Sequence, residues 1–149
     1  MAADKFQFLI YLDLVIWFLV LFWFLLFVSW FFLPAFETMS NPLPVMEHFY
    51  TLHGEGFHQG RAAYFIRLGG CDVGCVWCDV KESWDASKHP VYDIRSLKSE
   101  VGKTPAEIVV ITGGEPLMHN LDELTQVLQS AGLKTHIETS GAYPMSGTW

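Results

Sequence analysis

Cys71, Cys75 and Cys78 stand within eight residues, in the stretch "GGCDVGCVWCDV", and no other cysteine occurs in the chain. An odd number of thiols cannot pair completely within one chain, so a disulfide framework is excluded. A glycine-rich polar loop is also a poor place for three inert core thiols. Metal chemistry fits better, and it implies a reducing compartment in which thiols stay free. Two forms of it are open. Structural zinc takes four ligands, so the cysteines would need a histidine, with His53, His58 and His89 at hand. A cubane iron–sulfur cluster takes one thiolate per iron. Three thiolates then leave one iron free to chelate a small molecule through an amine and a carboxylate.

Such a loop needs a rigid frame, and the flanking sequence supplies one. "RAAYFIRLGG" (residues 61–70) is an apolar run ending in glycines, the pattern of a buried strand that runs into a loop. "VYDIRSLKSEVG" (91–102) places Ile94, Leu97 and Val101 at helical spacing, with Gly102 as the stop. "EIVVITGG" (107–114) is β-branched and reads as a second buried strand. "NLDELTQVLQSAGLK" (120–134) predicts a helix capped by Asn120, with Asp122 and Glu123 at its positive end. Leu121, Leu124 and Leu128 would form its buried face, and Gly132 its end. "KTHIETSG" (134–141) is a third strand. Alternating strands and helices predict a parallel α/β sheet. The cysteines, "GGEP" (113–116) and "TSG" (139–141) then all fall at strand C-terminal ends, where such folds build their sites.

Composition narrows the class further. The chain has 149 residues and a net charge of −7, with no basic run to coat nucleic acid. Its 51% hydrophobic content is inflated by residues 6–33, which carry one charge, Asp13, and are long enough to span a bilayer. That stretch fits a signal peptide badly, because its apolar core is too long and no small-residue cleavage site follows. Eleven of its 28 residues are Phe or Trp, and neither flank is rich in the Lys or Arg that sets orientation. The expected organisation is therefore an extension, 1–38, followed by a core domain, 39–149. Translation is expected to begin at Met39, giving a soluble cytoplasmic protein; a genuine anchor is the alternative.

Cys71-x3-Cys75-x2-Cys78 resembles the cluster loop of radical S-adenosylmethionine enzymes, and "GGEP" stands where that family carries its glycine-rich motif. "TLHGEG" (51–56), Arg67, Trp77-Cys78-Asp79, "TGGEP" (112–116) and "ETSG" (138–141) further resemble 7-carboxy-7-deazaguanine synthases. The resemblance covers residues 43–149. It implies the N-terminal half of a partial (βα) barrel, a 4Fe-4S cluster on the three cysteines, and S-adenosylmethionine bound at the open iron. Trp77, Cys78, Asp79, Gly113, Gly114, Glu115 and Ser140 would contact that cofactor. The implied substrate is 6-carboxy-5,6,7,8-tetrahydropterin, held by Leu52, His53, Gly54, Arg67 and Thr112, with Arg67 clamping its carboxylate. Hydrogen abstraction at C6, ring contraction and loss of ammonia would yield 7-carboxy-7-deazaguanine for queuosine and deazapurine synthesis. A flavodoxin- or ferredoxin-type donor and a homodimer of the full-length protein are implied with it.

The chain departs from the family in three ways. His53 stands where the family has glutamine. Val80 replaces the hydroxyl residue associated with Mg²⁺, so that ion would need Asp79, Glu82, a backbone carbonyl, water or substrate oxygens. The chain also stops at Trp149, which would leave a bare parallel-sheet edge and half of the barrel, inactive alone. A radical-enzyme activase, a non-catalytic zinc module and a membrane-anchored interaction protein are the competing readings.

Overall fold

The computed structural model describes residues 16–27 and 41–149, and the chain divides into two compact units, Met1–Met39 and Ser40–Trp149. In the first unit residues 16–27 form a helix, α1, with exposed side chains. Among the described residues no helix is long and apolar enough to cross a membrane. Most of the apolar stretch 6–33 and the expected start at Met39 lie outside the described residues.

The second unit is built on five strands: β1 (Leu43–Leu52), β2 (Ala62–Leu68), β3 (Val91–Tyr92), β4 (Ile108–Gly113) and β5 (Lys134–Ile137). Their order in the sheet is β3-β1-β2-β4-β5. β2, β4 and β5 are parallel, in the register Phe65–Val110–His136 across the sheet. The three expected strands are therefore present and adjacent. The sheet is nonetheless mixed, because β1 runs antiparallel to β2 and β3 antiparallel to β1. β1 covers the outer edge of β2, so the sheet extends beyond the parallel trio on that side. Its sequence, "LPVMEHFYTL", buries alternate residues only at Leu43 and Val45. The remainder is partly or fully exposed and lacks the two-residue period that marks a strand.

Two helices follow the expected pattern. α2 (Ile94–Gly102) starts at Asp93, whose carboxylate accepts the Arg95 N–H at 2.7 Å, and buries Ile94, Leu97 and Val101. α3 (Asp122–Ser130) buries Leu124 and Leu128, with Leu121 just ahead of it. Its N-cap is Leu121 rather than the expected Asn120, but Asn120 Oδ1 accepts the Asp122 N–H at 2.9 Å and satisfies one free amide of the first turn. Both helices contribute to one core with Leu43, Val45, Tyr64, Ile66, Leu68, Val109 and Ile111. Each fully buried aliphatic side chain of this set stabilises the unit by ~1.5–3 kcal/mol.

Side chains alternate along a strand, so the opposite face carries the other residues of each strand. They form three rows: Ala63 and Ile108; Phe65, Val110 and His136; and Arg67 with Thr112, beside Glu138 just past β5. The ladder reaches Glu138 through its N–H, which donates to the Ile111 carbonyl at 3.0 Å. Ala63, Ile108 and Val110 pack as a small apolar cluster with Phe65 against it. The last row faces a cavity.

Candidate active site

Backbone geometry brings the cysteine loop against the glycine motif. Gly114 N–H donates to Leu68 O at 2.9 Å, and Glu115 N–H donates to Gly70 O at 2.9 Å. Gly113 adopts φ +116°, and a Cβ there would stand 2.3 Å from Leu68 O. A Cβ on Gly114 would stand 2.2 Å from Gly70 O and 3.1 Å from the Cys71 Cβ. Only glycine permits both the dihedral and the approach. His119 Nε2 reaches across to donate to Gly69 O, 2.9 Å away, and fixes the start of the same loop. Tyr143 donates to Asp72 at 2.5 Å, tying the loop to the segment after β5. That carboxylate raises the Tyr143 phenol above its ordinary range.

All three thiols are free and half-buried. A tetrahedral zinc with ~2.3 Å bonds to sulfur draws thiolates to within ~3.8 Å of one another. Among the described residues, no group of three or more candidate ligands within 4.8 Å includes a cysteine. The candidate zinc histidines are engaged elsewhere. His89 contacts Glu82 O at 2.9 Å, while His53 and His58 pack with His136. The three thiols are thus not gathered at the spacing of a single tetrahedral ion.

Glu115 occupies the turn after β4 and is 1% exposed. Its Oε1 accepts from Leu117 N–H at 3.0 Å and the Thr139 hydroxyl at 2.6 Å. Its Oε2 accepts from Ser140 N–H at 3.0 Å and also from the Ser140 hydroxyl. Burial pushes the carboxyl pKa up, but the Ser140 and Thr139 hydroxyls and the two amides outweigh it and hold the pKa below the ordinary value. The carboxylate therefore joins the "GGEP" and "TSG" loops, and protein donors fill its four acceptor positions.

An open cavity of about 330 Å³ lies beside these loops, lined by Phe49, Glu55, Phe65, Arg67, Cys78, Asp79, Val80, Thr112, Gly113 and Glu138. Arg67, Thr112, Cys78, Asp79 and Gly113 thus meet in one place. Arg67 donates to Glu47 at 2.6 Å, its cross-strand neighbour, so one arm of the guanidinium is taken. Leu52, His53 and Gly54 do not line the cavity. Leu52 is 65% exposed, Gly54 is exposed, and His53 is buried under the β1–β2 loop; from this stretch Glu55 enters the lining instead. Trp77 is 82% exposed and stands outside the lining. The Val80 carbonyl accepts from both the N–H and the hydroxyl of Ser83, at 3.1 and 2.7 Å. Asp79 lines the cavity, and Glu82 does not.

Sequence reasoning missed Glu47 and Phe49, which enter through the unrecognised β1 pairing, and Phe65 of the recognised β2. It also assigned no role to Glu138, although the "ETSG" motif contains it. His53 N–H donates to Arg61 O at 2.8 Å and Gly60 N–H to His53 O at 2.8 Å, which pins the loop across the sheet. The His53 ring packs on Phe65, 5.3 Å between centroids. Burial is the largest influence lowering the His58 pKa, followed by the charges of His136 and Arg61.

Comparison with known proteins places this geometry. Residues 65–145 match the model of the radical SAM superfamily. The 7-carboxy-7-deazaguanine synthase of Flavobacterium psychrophilum is 57% identical over 107 residues, covering 72% of this chain and 50% of that protein. The Escherichia coli enzyme of the same name is 38% identical over 125 residues, covering 70% and 56%. A crystal structure of QueE from Escherichia coli superimposes with a TM-score of 0.68 at 38% identity, over 72% of this chain and 56% of that one. The chain spans about half the length of these relatives. With the matched region running from β2 through the cysteine loop, "GGEP" and "TSG", the chain belongs to the radical SAM superfamily.

Proposed function

We propose that this chain is the cluster- and cofactor-binding half of a 7-carboxy-7-deazaguanine synthase, acting on 6-carboxy-5,6,7,8-tetrahydropterin. One observation carries the reading. The cysteine loop, "GGEP" and "TSG" meet at the C-terminal ends of β2, β4 and β5, next to a cavity lined by Arg67, Thr112 and Glu138. The mixed sheet is read as the first part of a partial barrel. Cys71, Cys75 and Cys78 would hold the 4Fe-4S cluster. Cys78, Asp79 and Gly113 line the cavity, and they, with Gly114, Glu115 and Ser140 in the adjoining loops and the exposed Trp77, would contact S-adenosylmethionine. When bound, these groups supply the one-electron chemistry that removes a hydrogen atom from the substrate.

The protein's own residues do the rest. Gly113 and Gly114 let the backbone approach without a Cβ in the way. Glu115 fixes Ser140 by two hydrogen bonds. Arg67 offers a cation for the substrate carboxylate, and Glu47 holds it in the cavity. Thr112 stands beside it in register. His53, Leu52 and Gly54 would act through the loop that presents Glu55. Mg²⁺, if used, would take Asp79 as its protein carboxylate. The same reading places the reaction in the cytoplasm, with a flavodoxin- or ferredoxin-type donor and a homodimer of the full-length protein.

The test completes this chain with the C-terminal half of its Flavobacterium relative and reconstitutes it anaerobically. About four irons per chain are expected, with 7-carboxy-7-deazaguanine formed from the pterin. Cys71→Ala, Cys75→Ala and Cys78→Ala should each abolish 5′-deoxyadenosine formation. Cofactor cleavage that survives any of the three, or cleavage without ring contraction, overturns the assignment.

A further inference from the structure

At the edge of the cavity lies a group of side chains to which the proposed reaction assigns no ligand. His136 and Glu138, two residues apart, share one face of β5 and its extension. His53 comes down on them from the β1–β2 loop. The candidate ligand atoms of His53, His136 and Glu138 all lie within 4.8 Å of one another. His53 is 3% exposed, and its Nε2 is buried without a hydrogen-bond partner. That nitrogen is 3.3 Å from Glu138 Oε1, outside hydrogen-bond geometry; an ion bound there would put the ring proton on Nδ1 and replace the long 3.3 Å bond that Nδ1 accepts from Glu55 N–H. Two ligands of a tetrahedral zinc with ~2.05 Å bonds are ~3.3 Å apart. The His53–Glu138 separation matches this, and a His136 ring nitrogen lies within 4.8 Å of both. The surroundings favour a fixed site. The His53 backbone is bonded to Arg61 and Gly60, its ring rests on Phe65, and His58 packs edge-on behind His136 at 5.2 Å.

We propose that His53, His136 and Glu138 form a second metal site, for a divalent first-row transition ion of the zinc type. Two imidazoles and one carboxylate suit zinc and its neighbours and leave one coordination position for water or a substrate oxygen. Because Glu138 also lines the cavity, an ion held here borders the cavity. The resembled synthases carry glutamine at the position of His53, so the site would set this chain apart from them.

The experiment uses the full chain, reconstituted with iron and sulfide so that the cysteines are occupied, then titrated with Zn²⁺ and desalted. Iron and zinc are counted separately. About one zinc per chain is expected in addition to the iron. His53→Gln, His136→Ala and Glu138→Gln should each lower zinc affinity at least 100-fold and leave the iron content unchanged. Co²⁺ in place of zinc should give visible d–d bands without a thiolate charge-transfer band. His53→Gln introduces the residue of the resembled family, so it separates ligand loss from misfolding. Zinc retained in both His53→Gln and His136→Ala, no zinc bound by the wild type, or a thiolate band with Co²⁺ would each overturn the proposal. Iron content and ring contraction report on the synthase reading; zinc content reports on this one.

Discussion

Replacing Glu115 by glutamine should destabilise the fold by ~2–4 kcal/mol, even though the substitution removes no volume. The carboxylate accepts from the amides of Leu117 and Ser140, one on each oxygen, and from two hydroxyls. A hydroxyl can rotate and accept from a new NH₂ group, but a backbone N–H cannot. Whichever way the glutamine amide is turned, its NH₂ meets either Leu117 N–H or Ser140 N–H. A buried donor left unsatisfied costs ~1–3 kcal/mol, and the surviving bonds lose about 1 kcal/mol as their acceptor becomes neutral. The assay is urea unfolding of wild type and variant at several pH values. Because the folded pKa of Glu115 lies below its unfolded value of 4.5, its stabilisation is complete above that value and disappears as pH falls through the folded pKa. The gap between wild type and variant should therefore be constant near neutrality and narrow only below about pH 4.5. A variant within ~0.5 kcal/mol of wild type at pH 7, or a gap that persists at low pH, would refute the four-donor account.

Other expectations follow from the same geometry. Gly114→Ala should push the cysteine loop away from the glycine motif, because its Cβ would stand 2.2 Å from Gly70 O; iron retained after reconstitution and desalting should fall well below the wild-type level. Arg67→Ala should cost no more than ~1 kcal/mol of stability, since its pair with Glu47 is partly exposed, yet weaken pterin binding at least ~10-fold by calorimetry. Asp72→Asn should bring the Tyr143 phenol back toward its ordinary value of 10.0, seen as a lower midpoint in the ultraviolet difference titration.

The parallel strands, both core helices and the three site loops were legible because they rest on local patterns. Apolar runs such as "EIVVITG" are buried on both faces and stand out in any window. Ile94, Leu97 and Val101 announce one helix face. The cysteine spacing by itself limits the metal chemistry, since it sets how many thiolates one loop can present.

Tertiary structure decided what depends on partners distant in sequence. β1 is a strand because β2 offers it an antiparallel edge, and its exposed half has no period of its own. Arg67 meets Glu47 across twenty residues, and Tyr143 meets Asp72 across seventy-one. The sequence places Glu115 next to the site; its burial among four donors, which ties two loops together, is set by the fold. His53 looked like a substitution at a binding position. The fold buries it within the β1–β2 loop, near His136 and Glu138 at the end of β5. A sequence records which groups are available along the chain. The distances between them are set by sheet register and loop closure, which bring residues eighty positions apart onto one face.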